Sequence, residues 1–194
     1  MTEFKKLNLS NQLMAAVEKE GYSNATPIQA QTIPALLEGK DVMGVAQTGT
    51  GKTAAFALPL LHRMSATREW AEPRQPQALI LAPTRELAVQ IHDSIQTYGK
   101  GLRLRSTVVF GGSSIRNQMR ALDKGVHILV ATPGRLMDLH NQKYVKFDGV
   151  KTFILDEADR MLDMGRPETG ARSCVHPHQT RGGSGDQIPQ PDRD

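Results

Sequence analysis

The sequence predicts an α/β fold: a parallel sheet with helices on both faces, incomplete at its C-terminal end. Three observations carry this reading. Five short apolar runs, at residues 41–46, 77–83, 103–110, 127–132 and 151–156, alternate with amphipathic segments of helical period, as they do where crossover helices join parallel strands. Helix start and stop signals fall between the runs. After residue 164 the apolar, acidic, periodic pattern gives way abruptly to Arg, Pro, Gly and His.

Taken in chain order, Ser10 is placed to cap a helix that runs through Glu20 and stops at Gly21. Thr26 followed by Pro27 opens a second helix ending near Gly39, with Pro34 expected to kink it. The first apolar run, DVMGVA, then leads into a glycine-rich turn and a third helix. After QALILAP, Thr84 is the cap for a helix whose Leu87, Ile91, Ile95 and Tyr98 share one stripe. The remaining runs, RLRSTVVF, HILVAT and KTFILD, complete five expected strands. One domain over residues 1–164 follows, with residues 165–194 as a tail.

Bulk composition sets the class. Lys and Arg number 24 against 20 Asp and Glu, and the excess lies entirely before residue 165, a balance compatible with a polyanionic partner. Cys174 is the single cysteine, which excludes an internal disulfide and suits a reducing compartment. No apolar h-region opens the chain and no apolar run is long enough to span a bilayer. The expected location is cytoplasmic.

Two stretches carry chemistry. In AQTGTGKTAAF (residues 46–56) a strand-like run passes through glycines into a helix. Gly49 and Gly51 let the backbone wrap close to phosphate oxygens, and the helix N-terminus favours the anion. Lys52 supplies charge to the β- and γ-phosphates, and the Thr53 hydroxyl a ligand to Mg²⁺. Position 46 is Ala where the general phosphate-loop pattern has Gly. In KTFILDE (residues 151–157), Asp156 stands at the carboxyl end of an apolar run, where it suits Mg²⁺, with Glu157 beside it to orient a water. Read alone, Asp156, Glu157 and Asp159 are equally the charged first turn of a helix; the upstream loop tips the balance toward catalysis, with Lys52, Asp156 and Glu157 as the catalytic set.

Asp156-Glu157-Ala158-Asp159 spells D-E-A-D, and over residues 4–164 the chain resembles the first RecA-like domain of the DEAD-box ATP-dependent RNA helicases, a P-loop NTPase fold. This family's loop commonly reads A-x-T-G-x-G-K-T, which accounts for Ala46 and places Thr48, Gly49, Thr50, Gly51, Lys52 and Thr53 around ATP. GYSNATPIQ (residues 21–29) with the upstream Phe4 resembles its adenine-reading element. The resemblance implies that Gln29 recognises adenine, whose N6 and N7 a Gln amide can pair, and that Phe4 packs near the base. On the residues alone, Gln29 is also an exposed helical polar residue and Phe4 a hydrophobic plug on the sheet. Three further stretches resemble RNA-contacting motifs: Pro83, Thr84 and Arg85; Gly111 and Gly112; and Thr132, Pro133, Gly134 and Arg135. Each follows a strand-like run and offers groups that read a phosphate backbone, and each is equally an ordinary capped turn. The cofactors implied are ATP and Mg²⁺, and the partner is single-stranded or locally duplex RNA. GKTAAFALPLL is similar to the bacterial RhlE-type branch.

The family pattern would continue after residue 165 with an aromatic, a helix and a strand ending in Ser-Ala-Thr. The sequence instead reads RPETGARSCVHPHQTRGGSGDQIPQPDRD, whose few apolar residues predict disorder and whose abrupt onset fits a shifted reading frame. In RecA-like sheets that absent strand lies between the phosphate-loop strand and the Asp-Glu strand, so two inner edges are expected to be left unpaired or forced together. Without it and a second domain, the chain is expected not to unwind RNA. Cys174, His176 and His178 are a weak metal pattern, three ligands lacking a fourth.

Overall fold

The computed structural model describes residues 2–45, 47, 49–67 and 69–164. In order, the elements are β1 (Thr2–Glu3), a 3-10 turn (Phe4–Leu7), α1 (Asn11–Lys19), β2 (Asn24–Ala25), α2 (Pro27–Leu37), α3 (Lys52–Thr67), β3 (Ala78–Leu81), α4 (Arg85–Tyr98), β4 (Ser106–Val109), α5 (Ile115–Asp123), β5 (Ile128–Ala131), α6 (Pro133–Asn141), β6 (Thr152–Leu155) and α7 (Ala158–Met164). Four strands form a parallel sheet in the order β4-β5-β3-β6, with Ile80 opposite Val130 on one side and Ile154 on the other. β1 and β2 make a separate antiparallel pair.

Period-two alternation divides the core into two layers. Ala78 and Ile80 of β3 and Ile128 and Val130 of β5 face a large cluster built with Leu13, Ile33, Leu58 and Ile91 of α1 to α4. The intervening Leu79, Leu129 and Ala131 face a smaller cluster with Leu122 of α5 and Leu136 and Leu139 of α6. Strands buried on both sides read as continuous apolar runs, which is why ALIL and ILVA lack polar alternation.

The helix boundaries follow local chemistry. Thr26 and Gln29 form a reciprocal capping box at α2, and Pro34 sits inside that helix without ending it. The Thr84 hydroxyl accepts from the Leu87 N–H at 3.3 Å, and Ile91, Ile95 and Tyr98 of the expected stripe are buried. Ser10 adopts the cap conformation without a side-chain cap bond. Its own N–H donates to His62 Nδ1 at 3.1 Å, which ties α1 to α3.

One expected strand is absent. Residues 41–45 and 47 carry no regular structure, and Met43 and Val45 are 93% and 92% exposed. A strand persists only where its N–H and C=O groups have a ladder to join, and no described segment pairs with this run. The free flank of β6 likewise has no partner among the described residues. Ile154 packs on the larger cluster, whereas Phe153 and Leu155, on the opposite face, are about half exposed. The tail and its Cys174, His176 and His178 lie outside the described residues.

Candidate nucleotide site and nucleic-acid interface

Because the four strands are parallel, their carboxyl ends share one edge, and the segments that leave them converge there. Pro83, Thr84 and Arg85 follow β3; Gly111 and Gly112 follow β4; Thr132, Pro133, Gly134 and Arg135 follow β5; Asp156 and Glu157 follow β6. The ladder extends past the strand ends, with the Ala82 N–H on the Ala131 carbonyl and the Asp156 N–H on the Leu81 carbonyl, both at 3.0 Å.

The three turns after β3, β4 and β5 are linked by side chains. The Arg85 guanidinium lies over the Phe110 ring, 4.6 Å from its centroid. The Gln118 amide donates to the Phe110 carbonyl at 3.1 Å and to the Ser113 hydroxyl at 2.6 Å. Its Oε1 accepts from an Arg135 Nη at 3.0 Å. Arg135 also donates to the Ser113 carbonyl at 3.3 Å and pairs with Asp138 at 3.6 Å. Its side chain is only 12% exposed. Gly112 takes φ +77° inside this turn, a conformation that disfavours any side chain.

Sequence reasoning missed Gln118. The signal was there: Ile115, Gln118, Met119 and Leu122 fall at i, i+3, i+4 and i+7 of α5, so a lone amide interrupts an apolar stripe. A buried polar group must be bonded, and here its partners are the flanking turns.

In the phosphate loop, Gly49 and Gly51 have φ of +81° and +85°. The Thr50 hydroxyl donates to the Gln47 carbonyl at 2.7 Å. Gln29 is buried; its amide donates to the Gly51 carbonyl at 3.1 Å while its Oε1 accepts from the Thr26 N–H at 2.9 Å. A side chain at position 51 would run into that amide. Gln29 therefore braces the loop with one N–H and one lone pair of its amide, which carries a second of each. Lys52 and Thr53 are the first two residues of α3, where the helix dipole favours anions. Thr48 lies outside the described residues.

Phe4 is 2% exposed within the main core. That burial is what a hydrophobic plug requires, and the base-packing role expected for Phe4 is a separate matter of nucleotide binding. The 3-10 turn buries Phe4 and Leu7 together and leaves Lys5 and Lys6 outward.

Asp156 is buried, and its carboxyl is pushed above the ordinary carboxylate range, first by desolvation and further by Glu157, against the opposing field of Lys52. Its Oδ1 accepts from the Glu157 N–H at 3.1 Å. Glu157 holds φ +51°, unusual for a residue with a long side chain, and its carboxylate meets Arg160 at 3.4 Å. A desolvated carboxylate influenced by the loop lysine is a group short of positive charge. Mg²⁺ on a nucleotide takes few protein oxygens, completed by phosphate, and a carboxylate and a hydroxyl such as Asp156 and Thr53 carry are oxygens of that kind. The residues present fit Mg·ATP.

A parallel sheet with a glycine loop opening one helix and a buried carboxylate at a strand's carboxyl end defines a P-loop nucleotide-binding α/β domain. The sequence matches the DEAD/DEAH box helicase family over residues 26–181, and the chain belongs to that family. It is 54% identical over 165 residues to the DEAD-box ATP-dependent RNA helicase CshA of Streptococcus pneumoniae, covering 84% of this chain and 30% of that protein. With the CshA helicase of Limosilactobacillus reuteri it shares 51% identity over 163 residues, covering 84% of this chain and 32% of the relative. The chain thus spans about a third of the length of these relatives. Among solved structures, a DEAD box protein from Methanococcus jannaschii superposes with TM-score 0.75 at 38% identity, covering 85% of this chain and 44% of that one. The RNA-helicase Prp28 from Chaetomium thermophilum bound to ADP gives TM-score 0.78 at 42% identity, covering 85% and 40%. Both are DEAD-box helicase structures, so the α/β reading holds. Among the described residues no helix is long and apolar enough to cross a membrane.

Proposed function

We propose that this chain is the ATP- and RNA-binding half of a cytoplasmic DEAD-box RNA helicase, and that residues 1–194 by themselves do not unwind RNA. In this reading the backbone at Thr48, Gly49, Thr50 and Gly51, with Lys52, holds the β- and γ-phosphates, and Gln29 selects adenine with its remaining donor and acceptor. Thr53 and Asp156 hold Mg²⁺, which when bound neutralises charge on the phosphate oxygens. Glu157 orients the attacking water and takes its proton. The turns after β3, β4 and β5 bind the RNA backbone without reading sequence. The observation that supports the reading most is the placement of two groups: a glycine loop with two positive-φ glycines opens α3 at Lys52, and Asp156 lies buried just past the carboxyl end of β6. The RhlE-type placement is the finer reading of the branch; the relatives above carry the name CshA.

The test is thermal unfolding of the whole chain with and without Mg·ATP. Ligand at a hundredfold over its Kd would add about 2.7 kcal/mol, seen as an upward shift in Tm that Lys52→Ala removes. No shift at millimolar Mg·ATP overturns the nucleotide reading. One observation favours a second reading, a fragment of the family that no longer holds nucleotide: the run leading into the loop lies outside the sheet.

A further inference from the structure

The side-chain linkage at the sheet edge bears on how the RNA turns work. Neither Gly111 nor Gly112 has a side chain to fix its turn, and Gly112 sits at positive φ, so the unaided turn would sample many conformations. What restrains it is Gln118, on the helix that follows. Its amide bonds the Phe110 carbonyl on one side of the glycines and the Ser113 hydroxyl on the other. The Ser113 hydroxyl itself donates to the Phe110 carbonyl at 3.3 Å, closing the loop on itself. The remaining Gln118 acceptor is taken by Arg135 from the turn after β5, and the Phe110 ring lies under Arg85 from the turn after β3. The result is a cross-brace over three strands whose centre is one buried amide.

We propose that Gln118 is a positioning residue for RNA: it sets the Gly111-Gly112 backbone and the Arg135 guanidinium in one arrangement, so that the three turns meet a phosphate backbone as a preformed surface. Arg135, mostly buried and engaged by Ser113, Gln118 and Asp138, serves this brace rather than binding a phosphate by itself. The arrangement requires a group that donates and accepts simultaneously, which Gln does and neither Glu nor Met can. The proposal rests on the RNA-binding reading above.

The full chain is compared with Gln118→Met, which keeps volume but removes all three bonds, and Gln118→Glu, which keeps the acceptor for Arg135 but loses the donor to Phe110 and Ser113. Two properties are read: hydrogen exchange at residues 110–114 in the free chain, and binding of a short fluorescein-labelled oligouridylate across a salt series. Nucleotide-induced Tm shift serves as a control for global damage. Expected are faster exchange at the glycine turn in both variants and about tenfold weaker oligouridylate binding, with the salt slope little changed because no cationic phosphate contact is removed. Arg135→Lys, which keeps the charge but not the fork, is expected to reproduce the loss, and adding it to Gln118→Met to cost little more. Unchanged exchange at residues 110–114 overturns the proposal. Faster exchange with undiminished RNA affinity, or a Tm shift lost along with RNA binding, overturns it too. A wild-type chain that fails to bind the oligouridylate sinks the RNA reading and this proposal with it, whereas binding by the wild type and equally by the variants sinks this proposal alone.

Discussion

The two ends of the shared sheet edge are built to different standards. Around β3 and β5, each strand is laddered on both sides and both faces are covered, β4 joins this pair as a half-buried edge strand, and the turns after the three strands are braced to one another by Arg85, Phe110, Gln118 and Arg135. Around β6 and residues 41–51, the lead-in has no ladder, Phe153 and Leu155 are half exposed, and the brace visible for the loop is Gln29 on Gly51. The motif residues are equally legible in both regions. What differs is the neighbours that hold them, so motif quality and site quality are separate quantities.

Substitutions can break or sharpen this contrast. Ile80→Ala, in the middle of the central strand and fully buried, is expected to cost about 2–5 kcal/mol by cavity formation, measured by urea unfolding. An effect below 1 kcal/mol would mean that the well-packed half is not the stable half. Gly51→Ala removes the positive-φ freedom and pushes into the Gln29 amide. Its expected cost is about 1–2 kcal/mol, together with loss of the Mg·ATP shift in Tm; a retained shift would show that the loop does not depend on that brace.

Glu157→Gly relieves a left-handed backbone and is expected to stabilise the free chain by roughly 1 kcal/mol, read as a higher urea midpoint, while removing any ATP hydrolysis. For pH, burial lowers the His92 pKa below its usual 6.5. The folded state then binds fewer protons than the unfolded one below pH 6.5, so His92's contribution is full above 6.5 and declines as pH falls through its lowered folded value. His92→Gln should flatten Tm against pH across that window, and an unchanged profile would reassign the acid sensitivity. Smallest of all, Val45→Ser should change stability by less than about 0.5 kcal/mol; a larger loss would place residues 41–45 in a packed strand after all.

The sequence was most legible where local chemistry decides the outcome. The helix start at Thr26 and Pro27, the Thr84 cap, the glycine loop and four of the five strands all rest on interactions within a few residues or on a simple period. Gln118 was harder to see, because its partners at Phe110 and Arg135 lie on other elements. Phe4 was ambiguous by sequence, since an isolated aromatic suits a base or a core equally well.

From its own order of residues this chain determined its family, four of the sheet's five expected strands with the helices between them, and the types of group gathered at one sheet edge, because backbone preference and apolar period act locally. The tertiary structure decided which of those groups are braced and which are merely present. A strand needs a neighbour for its hydrogen bonds and a buried amide needs partners from other elements, and both are properties of the assembled fold that no single stretch of sequence contains.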